Sequence, residues 1–548
     1  MSTSPLVVEN LSFKYRTRPE LAIEDISFEL KQGELLLIAG SSGCGKTTLA
    51  RCINGLIPRS YRGARKGRVL LNGREVADLK IAEMAQEVGT LLQDPERQIV
   101  ASNVFNEIAF GPENLGLPRE EIVARVERAM RRLNIEYLRE RETFNLSGGE
   151  KQKAALAGVL TMNPSILLLD EPLASLDPAS AHEALAVFRS LADEGKTIIL
   201  VEHRVEDALA AKPDRLLYME DGRIQYLGPI RDLPPEIDYT QVKLPAQWVV
   251  KRVRAEKKPA EPPTSPKVKK ERGEPLVVFE DVDFRYGDEY PLILQNVNLT
   301  IYRGDLIAVL GPNGAGKSTL VKHAIGLLKP TRGRVLVGGQ DTRKMSVAQI
   351  ARSLGYVFQS PTHMLYASTV QEELEFGPRN LGFKADDIAA SVKESIATVN
   401  LKGFEEYPPL GLSFGQQKRT TIAAVLAMRS KILVMDEPTA GQDFANYTRF
   451  MEALCKSSNG SQSILSANFE STVFITHDLD LAVTYANRVL LFGDKHIVAE
   501  GKPEDVLKDI DVLLKYRVRP TSLLHLNLEL LPQTGGFLPA ESLAGFAL

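Results

Sequence analysis

Unbroken apolar runs recur along the chain: Leu35-Leu36-Leu37-Ile38-Ala39, Ile166-Leu167-Leu168-Leu169, Thr197-Ile198-Ile199-Leu200-Val201, and again Leu306-Ile307-Ala308-Val309-Leu310. Runs this short with no alternation are strands buried on both faces, as in a parallel sheet covered by helices. The stretches between them predict helices from near Lys46, over Arg119 to Leu138, and from Ser147, while Leu6 to Tyr15 and Ile23 to Leu30 read as further strands. The class is α/β. In such sheets ligands bind at the carboxyl ends of the strands, and polar residues follow several of these runs.

The chain matches itself. Tyr15 aligns with Tyr286 and Lys46 with Lys317 at an offset of 271, Gln93 with Gln359, Ser147 with Ser413 and Asp170 with Asp436 at 266, and His203 with His477 at 274. Strands stay in step while loops change length, the mark of a duplicated domain. The first copy spans residues 6–233 and the second 276–508, the latter with a polar insertion, Ser457 to Ser471, read as a surface loop. Between them, 234–275 holds Pro259, Pro262, Pro263 and Pro266 among lysines and reads as a solvated, semi-stiff tether, with a nucleic-acid arm as the alternative. Residues 509–548 are leucine-rich and broken by Pro520 and Pro532. They predict short helices packing on the second domain or across the pair.

Composition narrows the partners. With 67 basic and 70 acidic residues in 548, the net charge of -3 calls for no nucleic acid. Three cysteines without paired-thiol spacing suit a reducing compartment and no thiol-held metal. No apolar run approaches the roughly 20 residues that cross a bilayer, and Met1 to Pro5 lacks the regions of a signal peptide, so a membrane role is expected only through a partner.

The candidate chemistry sits at strand ends. Gly40-Ser41-Ser42-Gly43-Cys44-Gly45-Lys46-Thr47 and Gly311-Pro312-Asn313-Gly314-Ala315-Gly316-Lys317-Ser318 both fit the phosphate loop G-x-x-x-x-G-K-[ST], with Thr48 and Thr319 following. Glycines let backbone N–H groups curl around phosphates at a helix N-terminus. Lys46 and Lys317 then reach the β- and γ-phosphates, and the Thr47 and Ser318 hydroxyls take a magnesium position. Asp170 and Asp436 end apolar strands, where a carboxylate holds magnesium through water. Glu171 and Glu437 follow as bases for the attacking water, and His203 and His477 end the neighbouring strands, placed to contact the γ-phosphate. Ser147-Gly148-Gly149 and Ser413-Phe414-Gly415 open helices. Each reads as a plain N-cap or as a second anion site completing the other copy's pocket.

Phosphate loop, downstream glutamine, Leu146-Ser147-Gly148-Gly149, Asp170-Glu171-Pro172, Ser175-Leu176-Asp177 and a late histidine, in that order and in both copies, resemble the ATP-binding-cassette proteins. The resemblance covers about four-fifths of the chain. It implies two tandem P-loop cassettes, each a mainly parallel sheet with helices, an antiparallel β subdomain and a helical signature subdomain. The cassettes would pair head to tail around two ATP molecules with Mg2+. Site one would use Lys46, Thr47, Gln93, Asp170, Glu171 and His203 facing Ser413 and Gly415. Site two would use Lys317, Ser318, Gln359, Asp436, Glu437 and His477 facing Ser147, Gly148 and Gly149. Gln93 and Gln359 would serve both the metal and the attacking water, and Tyr15 and Tyr286 match the adenine-stacking aromatic or are core aromatics. Three departures stand out: Phe414 for the signature's first glycine, Glu150 for a usual glutamine, and Ala440-Gly441-Gln442-Asp443 for Ser-x-Leu-Asp. Phe414 would crowd the γ-phosphate of site one, so unequal turnover is expected.

The runs Gln93-Asp94-Pro95 to Gly116 and Gln359-Ser360-Pro361 to Gly382 resemble the energy-coupling-factor importers of vitamins and of cobalt or nickel, with both ATPases fused. The fused layout is similar to systems for thiamine precursors. In that family this segment grips a transmembrane component, which works with a small substrate-binding membrane subunit, and the ATPase lies peripherally on the cytoplasmic face of the membrane. The rival is a soluble two-cassette ATPase acting on ribosomes, whose long helical linker this short, proline-broken one does not match.

Overall fold

The computed structural model describes residues 4–174, 176–230, 237–256, 273–439, 443–455 and 469–546. Ser175, 440–442, the four tether prolines and most of the Ser457 to Ser471 insertion lie outside the described residues. Two compact units, Met1–Leu244 and Pro245–Leu548, divide the chain.

In the first unit β1 (Leu6–Tyr15), β2 (Ile23–Leu30), β4 (Gly63–Leu71) and β5 (Arg74–Glu75) form an antiparallel sheet ordered β2-β1-β4-β5. The other sheet takes β3 (Leu35–Gly40), β6 (Val88–Leu91), β7 (Ile166–Asp170), β8 (Thr197–Val201), β9 (Arg215–Glu220) and β10 (Arg223–Gly228), ordered β10-β9-β3-β8-β7-β6. Five of its strands run parallel and β10 closes the edge antiparallel. Every residue of β3, β7 and β8 is buried, which is why these segments are apolar without alternation. Leu36, Ile38, Leu168, Ile199 and Val201 pack with the antiparallel sheet in one core.

The second unit repeats this. Its sheets are β12 (Leu294–Tyr302), β11 (Pro275–Phe284), β14 (Arg332–Val337), β15 (Gln340–Asp341), and β20 (His496–Gly501), β19 (Arg488–Gly493), β13 (Leu306–Leu310), β18 (Ser471–Ile475), β17 (Ile432–Asp436), β16 (Leu354–Val357), each in spatial order. Ser471, expected to close the insertion, instead opens β18 and is buried, because its backbone continues the ladder beside Ile432.

The segment expected as a tether contributes a helix, Ala246–Ala255. Its Ala246 and Val250 join a core with Leu523, Leu526, Leu530 and Leu543 of the tail helices Ser522–Thr534 and Ala540–Leu543. Ser522 Oγ accepts from Ala246 N at 2.7 Å, and Arg254 Nε donates to Ala544 O at 3.0 Å. The helix expected over Arg119 to Leu138 stops at Arg132, since Asn134 takes φ 53° and a 3-10 turn, Glu136–Leu138, follows. A single left-handed residue is enough to end a helix.

Candidate functional site

Each phosphate loop joins a buried strand to a helix, β3 to Lys46–Ile53 and β13 to Lys317–Ala324. Gly45 and Gly316 cap those helices at φ 105° and 107°, and a Cβ on Gly45 would lie 2.6 Å from Ala22 O. Only glycine fits there. Both lysines are buried. Lys46 Nζ donates to Gly40 O at 2.7 Å and Ser41 O at 2.8 Å, and Lys317 Nζ to Gly311 O and Pro312 O at 2.7 and 2.9 Å. The ammonium is thus curled back over its own loop, where arriving phosphate oxygens would compete for it.

At the ends of β7 and β17 lie the carboxylates. Burial, with the charge of Glu171, pushes the Asp170 carboxyl up to about 6 against the pull of Lys46, Arg51 and the Thr47 hydroxyl. Glu171 follows at φ 48° and Glu437 at φ 50°, left-handed backbone that turns both side chains out of the strand direction. Gln93 Nε2 donates to Glu171 Oε2 at 2.5 Å, and His203 Nδ1 lies 3.8 Å from Glu171 Oε1. Burial raises the Glu171 carboxyl, yet its contacts with His203, Lys46 and Gln93 outweigh this and hold it below the ordinary range. Burial pulls His203 down, and Glu171 more than compensates, so the imidazole is raised.

The second copy reaches another balance. His477 Nε2 lies 3.0 Å from Glu437 Oε1, Tyr356 donates its hydroxyl to Asp436 Oδ2 at 2.9 Å, and burial drives the Glu437 carboxyl upward despite Lys317. Burial and the neighbouring Asp436 likewise raise the Tyr356 phenol. Sequence reading missed Tyr356 because Thr90 holds the matching place. It also missed Glu202, fully enclosed before His203, which accepts from Leu173 N at 3.1 Å and is pushed up by burial to about 7. Thr476 stands at that place in the second copy.

The two signature serines are helix caps in this structure. Ser147 Oγ accepts from Glu150 N at 3.3 Å while Glu150 Oε2 accepts from Ser147 N at 2.8 Å, and Ser413 with Gln416 does the same at 3.4 and 3.0 Å. Glu and Gln serve equally in such a box, which accounts for Glu150. The Phe414 side chain lies outside the described residues. Tyr15 is tied in by its hydroxyl, 3.2 Å from Thr48 Oγ1 and accepting from Arg51 at 3.1 Å. Tyr286 is 58% exposed, with its ring 4.9 Å from Phe284.

After each glutamine a buried carboxylate shapes the loop. Glu107 Oε2 accepts from Val100 N and Ala101 N, both at 2.8 Å, and Glu373 Oε2 from Tyr366 N and Ala367 N at 2.8 and 2.9 Å. The acid recurs at one offset on the helices Val104–Asn114 and Val370–Asn380, a signal visible in the self-comparison. Large apolar side chains stay exposed at four matched pairs of positions: Val100 and Tyr366 on these loops, Phe110 and Phe376, Phe144 and Leu410, and, on other helices, Ile81 and Val347. Thr143, next to Phe144, donates its hydroxyl to Ala101 O at 2.6 Å, and the Tyr366 and Phe376 rings meet at 4.8 Å. Among the described residues no helix is long and apolar enough to cross a membrane, and no three His, Cys, Asp or Glu converge as a metal cage.

The sequence profile of the ABC transporter family matches residues 23–174 and 294–440. A chain of Caldanaerobacter subterraneus subsp. tengcongensis, assigned by name to the ABC transporter ATP-binding proteins, is 36% identical over 559 residues, 96% of both chains. One of Methanosarcina acetivorans with the same assignment is 35% identical over 93% of this chain and 88% of its own. Among solved structures, cbiO1 from Clostridium perfringens, part of the ABC transporter complex cbiONQ, is 28% identical, covering 48% of this chain and 98% of that one at a TM-score of 0.39.

Proposed function

The chain belongs to the ABC transporter family as an ATPase with two tandem cassettes, and from that premise we propose that it energises an importer of the energy-coupling-factor type. The cargo would be a vitamin, a thiamine precursor among the candidates, or cobalt or nickel. It would lie on the cytoplasmic face of the membrane, bound to a transmembrane component that works with a small substrate-binding membrane subunit.

The observation that carries this reading is the set of eight exposed apolar side chains at four matched pairs of positions. Single exposed hydrophobics are ordinary, but the same positions left wet in two divergent copies are what a docked partner requires. The Glu107 and Glu373 carboxylates fix the loops that present Val100 and Tyr366.

Within each cassette the chain's own groups divide the work. Lys46 and Lys317 exchange loop carbonyls for phosphate oxygens. Magnesium fits beside Asp170, where a buried carboxylate raised by the charge of the adjacent Glu171 favours a cation: Thr47, Asp170 and Gln93, or Ser318, Asp436 and Gln359, would hold it, neutralising phosphate charge. Glu171, kept ionised, accepts the proton of the attacking water, with His203 and Gln93 fixing its orientation. Glu437 and His477 do the same once Glu437 has lost its proton.

Affinity purification of the tagged chain from detergent-solubilised cells, followed by mass spectrometry, tests the reading. Stoichiometric recovery of a polytopic membrane protein is expected, and Phe110→Asp with Phe376→Asp should abolish it while ATP binding persists. Recovery of ribosomes with no membrane protein would leave a translation ATPase instead.

A further inference from the structure

Lys418 is fully enclosed inside the helix Phe414–Ala427, yet its ammonium is satisfied: Nζ donates to Phe358 O at 2.9 Å, Gln359 O at 2.8 Å and Asp436 O at 3.4 Å. A lysine carries three donors, and here they join three parts of one site. One part is the loop of Gln359, another is the strand end bearing Asp436 and Glu437, and the third is the signature helix itself.

The first copy solves the same problem from another side. Gln152 stands at the matching place, buried, and neither atom of its amide has a hydrogen-bond partner. Its loop is held from within by Gln98, whose Oε1 accepts from Leu92 N at 3.0 Å and whose Nε2 donates to Thr90 O at 3.2 Å. Where Gln98 would fall in the second copy there is Met364, which offers Phe358 N only a sulfur at 3.4 Å. One anchor is present in each copy, and never the same one.

We infer that Lys418 is a positioning residue of the second site, clamping the Gln359 loop to the Asp436 strand end and to the signature helix. The inference rests on the reading of that site as an ATP site. It has a mechanical corollary: displacement of the signature helix reaches the glutamine directly in the second copy, whereas the first copy's loop keeps its shape independently.

The test uses the full chain with Lys418→Gln, which borrows the residue the first copy tolerates, and Lys418→Gln combined with Met364→Gln, which rebuilds the first copy's anchor. Amide hydrogen exchange over residues 356–362 should speed up by about tenfold in Lys418→Gln and return in the double variant. In a Glu171→Gln background, the magnesium concentration for half-maximal hydrolysis should rise by roughly tenfold, while ATP binding without magnesium stays within about twofold. Unchanged exchange over 356–362, exchange raised evenly through the second unit, or no recovery with Met364→Gln would each overturn the inference. Absence of any ATP turnover in the parent chain would instead count against the ATP-site reading, and the exchange data would still decide what Lys418 holds.

Discussion

Replacing Glu202 with glutamine should stabilise the first unit at pH 8 and leave it almost unchanged near pH 4.5. The Glu202 side chain is 1% exposed, accepts from Leu173 N, and has its carboxyl raised by burial from 4.5 to about 7. A shift of that size corresponds to about 3 kcal/mol, at 1.36 kcal/mol per pH unit. The sign follows from which state holds the proton. Between the two values the folded chain keeps a proton that the unfolded chain has released, so stability falls as pH rises through that window, and the full cost is present above it. Glutamine carries no such proton and still offers an oxygen to Leu173 N. For a unit of this size about 3 kcal/mol is on the order of 6–10 °C in Tm. Calorimetry at pH 5, 6, 7 and 8 is the suitable assay, because the one tryptophan, Trp248, belongs to the second unit and its fluorescence would report the wrong transition. The gap between variant and parent should open with pH. A constant gap, or a parent more stable at pH 8, would mean that Glu202 is ionised in the folded chain and that the reasoning fails.

The two sites should also differ in their response to pH. In a Glu171→Gln background the residual hydrolysis should climb from pH 6 to 8.5 as the raised Glu437 carboxyl loses its proton, whereas in a Glu437→Gln background Glu171, held low, should add no such rise. Steady-state phosphate release across that range checks it, and equal losses and parallel profiles would contradict unequal sites. Glu107→Ala should destabilise the first unit by about 3 kcal/mol and expose the amides of Val100 and Ala101 to exchange, since both lose a charged acceptor, while Glu107→Gln should cost only about 1 kcal/mol because one oxygen still accepts both.

What the sequence made legible were features with a local cause. Strands buried on both faces read as apolar runs, so β3, β7, β8 and β13 could be read directly from all but their end residues, and glycines that need positive φ marked both phosphate loops. Features that depend on what lies across the fold stayed hidden. Nothing around Lys418 says that its ammonium will meet three carbonyls from two other segments, and Glu202 looks like any polar residue after a strand. The helix Ala246–Ala255 did leave a signal, with Ala246, Val250 and Val253 at helical spacing, but the nearby prolines and lysines argued for a tether. Glu107 and Glu373 were readable only by comparing the copies, because a buried acid on one helix face is unremarkable until it recurs.

The packing of Ala246–Ala255 against the tail helices sets an order of events during synthesis. The first unit is complete in sequence by Leu244, so it can close while the rest of the chain is still being made. Val250 emerges next, but Leu530 and Leu543 of the tail helices, which share its core, follow roughly 280–290 residues later, a wait on the order of 15–60 s at 5–20 residues per second. Throughout that interval the nascent second unit carries, at its leading edge, a helix whose apolar face of Ala246, Val249, Val250 and Val253 lacks its tail partners. It is therefore the second unit, and not the first, whose yield should respond to translation speed and to chaperones at the ribosome exit.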